Sequence, residues 1–220
     1  MQRLLTSVLV ALSVTAMAYS TELLYDQPAG LAGGGVASQN APNSFGDQYT
    51  AFDNFSLLTG ASITGVQWQG SYSSMPISLI TQFQILFLAD NGGLPGGVLR
   101  AYDIPGNAGE TFVGTSVGFF EYSYTLNLPT AFGANANTQY WLSIQPTVDF
   151  PPQWFWREGT GGDGQSAQIN LPASPNPSLI AEDNAFSLTG TTVPEPSALQ
   201  LLSISLLVIG FSSWRRARRT

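Results

Sequence analysis

The chain has 220 residues, with 14 acidic and seven basic side chains and a formal net charge of −7. It contains no cysteine and no histidine, and every basic residue is an arginine. These absences exclude disulfides, a cysteine nucleophile, a Ser-His-Asp triad, a Schiff-base lysine and a histidine metal site, which leaves paired carboxylates among the common catalytic devices.

The chain opens on Met1-Gln2-Arg3, followed by the apolar run Leu4–Ala16 and the small-x-small triplet Ala16-Met17-Ala18. A short basic start, an apolar stretch too short to span and a small-residue cleavage site predict a signal peptide over residues 1–18, helical in its apolar part. Cleavage is expected after Ala18, with Ser20 as the alternative. Residues 19–192 then make one domain's worth of chain. Only Arg100 and Arg157 of the seven arginines lie there, with 13 of the 14 acidic residues. An excess of eleven negative charges disfavours nucleic acid and anionic lipid, and favours divalent cations.

Glycine, proline, asparagine and serine punctuate this body every 8 to 15 residues. Short aromatic and β-branched runs lie between them, without helical periodicity. The pattern predicts an all-β fold, a single jelly-roll-like β-sandwich. Candidate strands are Tyr49–Leu57, Ile63–Gln69, Thr81–Ala89, Val98–Ile104, Phe120–Leu126, Tyr140–Gln145, Gln153–Arg157, Ala167–Ile169 and Ala185–Leu188. Val66 and Trp68 share one face, opposite Gln67 and Gln69. Trp68 and Trp141 lie in strongly patterned strands and read as core.

The loop Asp90–Gly97 is rich in oxygen ligands and turn residues. With Asp103 it is a candidate Ca²⁺ site, although it lacks the glutamate of an EF-hand loop. Its plainer reading is a glycine-rich hairpin connection. Asp53-Asn54-Phe55-Ser56-Leu57-Leu58-Thr59-Gly60 is echoed by Asp183-Asn184-Ala185-Phe186-Ser187-Leu188-Thr189-Gly190. Two strands adjacent in one sheet would explain the echo, as would shared strand composition. If they neighbour each other, Asp53, Asn54, Glu182, Asp183 and Asn184 form a second acidic cluster.

Trp154-Phe155-Trp156 is the candidate glycan contact. In a strand Trp154 and Trp156 project to one face, where two rings suit sugar stacking, with Arg157 and Glu158 beside them. The plainer reading makes one of them core and the other the cover of a sheet edge. Glu110, Glu121, Glu158 and Asp163 are the carboxylates a glycosidase would need, and nothing in the sequence pairs two of them. The expectation is therefore a non-enzymatic protein. A carbohydrate-binding module is the alternative, and a carboxylate glycosidase is a third reading. No resident cofactor is expected beyond the Ca²⁺ candidates.

The last segment, residues 193–220, has three parts. Pro194-Glu195-Pro196 resists helix and stays extended. Residues 198–214 carry no charge and run about 26 Å as a helix, the short end of a transmembrane span. Arg215, Arg216, Arg218 and Arg219 follow, and the positive-inside rule places them in the cytoplasm.

This tripartite tail resembles the PEP-CTERM sorting signal of Gram-negative bacteria, the substrate signal of exosortases. Tails of this type also go under an ice-binding label, which names a transport address and implies no ice surface. The body is similar to a recurrent β-sandwich of PEP-CTERM proteins. The likeness rests on the early Asp53-Asn54-Phe55, on Ile63-Thr64-Gly65-Val66-Gln67-Trp68, on Phe87–Gly96 and on Ala185–Gly190. The resemblance implies an inner-membrane precursor, an exosortase-type processing partner, and delivery to the envelope or extracellular matrix with exopolysaccharide or biofilm. It implies no activity for the body.

Overall fold

The computed structural model describes residues 20–31, 34–44, 48–77 and 79–193. The signal peptide, the Pro194-Glu195-Pro196 motif, the apolar span and the arginine cluster lie outside the described residues. Among the described residues no helix is long and apolar enough to cross a membrane.

The body is all β. Its strands are β1 (Glu22–Gln27), β2 (Gly35–Ala37), β3 (Gln39–Asn40), β4 (Gln48–Ser56), β5 (Ala61–Tyr72), β6 (Gln82–Asp90), β7 (Pro95–Pro105) and β8 (Thr111–Ser116). They continue as β9 (Phe119–Ala134), β10 (Gln139–Thr147), β11 (Trp154–Gly159), β12 (Ser166–Leu171), β13 (Ser174–Ile180), β14 (Asp183–Asn184) and β15 (Phe186–Thr192). Every candidate strand of the sequence lies on or within a residue of one of these. The edge strands β1, β8 and β13 carry weaker patterns and are additions.

The strands form two sheets. In the first, β5 is central: β9 runs along one side of it, with β8 beyond. On its other side β15 pairs with residues 61–68, with β1 beyond, and β11 pairs with Gly70–Tyr72. β11 also carries β2 and β14. The second sheet runs β13-β12-β4-β10-β6-β7, with β3 bridging β4 and β10. Neighbours are antiparallel apart from the single β3–β10 pair.

Strand alternation decides what each sheet turns inward. In the first sheet Val66, Trp68, Tyr124, Phe186 and Leu188 face the core, and in the second Ala51, Phe55, Phe83, Ile85, Phe87 and Leu142 do. Aromatic rings join the two layers. Trp68 meets Phe83 edge-on at 5.0 Å, and Phe132 stacks on Phe87 at 4.3 Å. Burying one such phenylalanine contributes about 1.5–3 kcal/mol, and offset or edge-on ring pairs add about 0.5–1.5 kcal/mol. The result is a β-sandwich with an aromatic interior. On the opposite face of the second sheet Phe52, Leu88, Trp141 and Ala167 form a smaller buried cluster.

The echo takes a different place from the one expected. Asp53-Asn54-Phe55 belongs to β4 in the second sheet, whereas Asp183-Asn184 and the following Phe186 belong to the first. The two segments are not neighbours in a sheet; they meet across the sandwich.

Candidate functional site

That meeting buries a polar cluster. Asp53 lies between Ala51 and Phe55, so its side chain turns toward the aromatic core, and it is 0 % exposed. One carboxylate oxygen, Oδ2, accepts from Gln27 Nε2 at 3.2 Å and from the backbone N–H of Asn184. Gln27, at the end of β1, also donates to the Asn184 carbonyl at 2.9 Å. Its own carbonyl oxygen accepts from the Tyr25 hydroxyl. β1, β4 and β14, drawn from both sheets, are thereby tied at one point.

Asp183 extends the cluster toward the surface. Its carboxylate accepts from the backbone N–H groups of Gly162 and Gly164, at 3.0 and 2.8 Å. Gly162 is required here. A Cβ on it would lie 2.6 Å from Gln27 Oε1 and 2.7 Å from Asp183 Oδ1. The two oxygens therefore converge on a surface that only a bare Cα can occupy. Asp163, in the same loop, turns the other way and accepts from Asn54 Nδ2 at 3.0 Å.

Several buried polar atoms of this region lack a protein partner: Asp53 Oδ1, both side-chain atoms of Asn184, and Ser166 Oγ. Ser166 is the cross-strand partner of Asp53 and shares its face. Burial pushes the Asp53 carboxyl well above the usual carboxylate range; the Asp183 charge adds to this, and the donated hydrogen bonds oppose it. Burial likewise raises the Tyr25 hydroxyl.

Of the second acidic cluster expected from sequence, the fold brings together Asp53, Asp183 and Asn184. Asn54 points to the opposite face. Glu182 lies toward Glu158, and its carboxyl is raised by burial and by that charge. Gln27, Ser166 and the Gly162 amide were not legible as participants. Gln27 sits in an edge strand with little pattern, and the other two depend on strand pairing.

The Asp90–Gly97 segment takes its plainer reading. The Asn91 N–H donates to the Leu94 carbonyl, and Gly92 and Gly93 have φ of 66° and 84°. Asp90 caps this turn through the Gly93 N–H and accepts from Trp141 Nε1 at 2.9 Å. Asp103 pairs across the ladder with Gln84, six residues along β6 from Asp90, so about 20 Å away. The candidate Ca²⁺ site of this loop and Asp103 is not assembled.

Trp154 and Trp156 do share a face, but it is the core face, and both are 0 % exposed. Trp154 Nε1 donates to the Tyr124 hydroxyl and Trp156 Nε1 to the Ala185 carbonyl, at 3.1 and 2.9 Å. Neither ring is open to a sugar, which corrects the expectation of glycan contact there. The reason is register: Trp154 and Trp156 sit opposite Tyr72 and Gly70 of β5, in phase with Trp68 on the side of that strand that faces the core. Trp68 and Trp141 are buried as expected.

The four candidate carboxylates are dispersed among different partners. Glu121 forms a buried ion pair with Arg157, whose guanidinium also donates to the Gly30 carbonyl. Glu110 accepts from the Tyr72 hydroxyl at 3.2 Å, and burial raises its carboxyl. Glu158 lies against Gly30 and Gly34. Among the described residues no two of the four share a hydrogen bond.

A groove of about 300 Å³ lies on the outer face of the first sheet. Gln67, Gln69, Ser123, Thr125 and Ser187 line it, with Asp26 at one end. They are the solvent-side residues of β5, β9 and β15, and they present amides and hydroxyls.

No protein-family model matches the chain, and no curated protein matches it.

Proposed function

We propose that this chain is an exported, non-enzymatic protein of the cell envelope or extracellular matrix, sorted by its C-terminal tail. The observation that carries the reading is the order Pro194-Glu195-Pro196, uncharged residues 198–214, and four arginines within 215–219. The uncharged run is long enough to hold a precursor in the inner membrane, and the arginines set its orientation. An exosortase-type protease then cuts near Pro194-Glu195-Pro196 and releases a jelly-roll-like body, after a signal peptidase has removed residues 1–18. Association with exopolysaccharide or biofilm follows from that address.

The make-up of the body supports a structural role. Asp90 is engaged in a turn, Glu121 in an ion pair, and Asp53 and Asp183 in buried or partly buried hydrogen bonds. Replacing Pro194-Glu195-Pro196 with alanines tests the reading. Full-length protein then accumulates in the inner membrane; sorting and trimming as in the wild type would sink it.

A second reading, a carbohydrate-binding module, is favoured by the groove over Gln67, Gln69, Ser123 and Thr125. Neutral amide and hydroxyl side chains match the hydrogen-bonding groups of a neutral sugar. Gln67→Ala with Gln69→Ala abolishes retention on purified exopolysaccharide if the groove binds it. Unchanged retention removes this reading and leaves the sorting proposal intact.

A further inference from the structure

Both ends of the body's chain leave from one end of the sandwich. β15 closes on Thr192, opposite Ala61 at the start of β5. Val193 follows, and its N–H donates to the Gly60 carbonyl at 2.7 Å. β1 starts beside it: Glu22 pairs with Gly190, and its carboxylate accepts from the Thr192 N–H at 3.1 Å. Ala18 and Pro194-Glu195-Pro196 each lie within four residues of Glu22 or Thr192 along the chain.

Three turns form the surface at this end. Residues 57–60 join β4 to β5, 91–94 join β6 to β7, and 135–138 join β9 to β10. The Asn137 N–H donates to the Leu57 carbonyl at 2.7 Å, and Tyr140 of β10 lies opposite Ala89, just before the second turn. None of these twelve residues is charged. Asp90 and Glu22 flank them, and each already accepts from a backbone N–H, of Gly93 and Thr192. Asp163 and Glu182 belong to other connections. Leu58 is 89 % exposed and Val193 is 55 % exposed; the first is two residues from Gly60, and the second is bonded to it.

We propose that this end of the sandwich rests on the bilayer while the chain is anchored, with Leu58 and Val193 in the lipid interface. This rests on the sorting reading, in which residues 198–214 span the membrane. Four residues separate Val193 from that run, so even a fully extended linker keeps the end within about 18 Å of it. With two arginines against 13 acidic residues, the body as a whole is repelled by anionic headgroups, whereas the three turns carry no charge to repel. Their amides and hydroxyls suit the headgroup layer, and the leucine and valine suit the acyl boundary beneath it. Two apolar side chains would not dock a free protein, but the tether makes the contact intramolecular, at high effective concentration. The loop bearing exposed Met75, Ile77 and Leu79 follows the far end of β5, about 35 Å along the strand, and points away from the membrane. In this posture Pro194-Glu195-Pro196 is held at the membrane surface, within reach of a membrane-embedded protease.

The chain has no cysteine, so Leu58→Cys and Met75→Cys each create a single labelling site, at exposed positions where the fold tolerates the change. Each full-length variant is labelled with an environment-sensitive fluorophore and placed in phosphatidylcholine nanodiscs that carry a quencher at headgroup level. The label of Leu58→Cys shifts to the blue and is quenched, and that of Met75→Cys does neither. A second measurement removes the dye: a charged, water-soluble maleimide reacts with the bare thiol in discs, and each rate is divided by that of the denatured chain. Leu58→Cys is slowed and Met75→Cys is not. On anchored chains, a Leu58→Cys label that stays as in water, or a Met75→Cys label quenched as strongly, overturns the proposal and leaves the anchor standing. Quenching without the slowed thiol belongs to the dye and overturns it as well. A chain that fails to enter the discs removes the anchor and this proposal together.

Discussion

The backbone N–H of Asn184 donates to the carboxylate of Asp53 across the gap between the two sheets. The aromatic residues of the two Asp-Asn segments take part in the same meeting, since Phe55 and Phe186 approach edge-on at 6.4 Å. The Asp53 carboxyl is therefore tied into the packing that joins the layers.

Asp53→Ala should destabilise the body by about 2–3 kcal/mol, because it strands the Asn184 N–H and the Gln27 amide in a dry interior. Urea denaturation followed by tryptophan fluorescence measures this. A loss under 0.5 kcal/mol would mean the cluster is wetter than its burial indicates.

Gly162→Ala should also destabilise, since its Cβ collides with Gln27 Oε1 and Asp183 Oδ1. Gly133→Ala, where a Cβ meets nothing within 4 Å, is the control and should leave Tm unchanged. Equal shifts in the two variants would contradict the packing described for the 160–165 loop.

Trp154→Ala should cost about 3–5 kcal/mol by opening a core cavity, and Trp154→Ala with Trp156→Ala should unfold the body. Gly70→Ala should be severe too, because its Cβ falls on the Trp154 ring. Circular dichroism and thermal melting read these outcomes. A folded double variant that loses only polymer binding would restore the surface reading of the two tryptophans.

Glu110 gives a pH dependence of fixed sign. Tyr72, Tyr122 and Tyr124 face it, and burial raises its carboxyl in the folded state. The fold therefore favours the protonated form. Its stabilising contribution is full below the unfolded pKa and is lost as pH rises through the raised folded value. Glu110→Gln should flatten this part of the Tm profile on the alkaline side of the ordinary glutamate pKa. An identical slope in the variant would remove Glu110 as its source.

The strands were legible because alternation is local: Val66 and Trp68 inward with Gln67 outward can be read from five residues. The turn at Asp90–Leu94 was legible for the same reason, through Asn-Gly-Gly. The facing of Trp154 and Trp156 was legible as a shared side, but which side depended on the register of β11 against β5, a long-range fact. The cluster was half legible. The Asp-Asn echo pointed to it, while Ser166 and Gln27 enter only through register between distant strands.

On the proposed sorting route the tail is cut from the mature protein, and intact-mass measurement of the exported species reads this out. A species beginning at or within two residues of Tyr19 and ending near Pro194-Glu195-Pro196, without residues 198–220, is expected. A mature envelope species that still carries Arg215–Arg219 would contradict it.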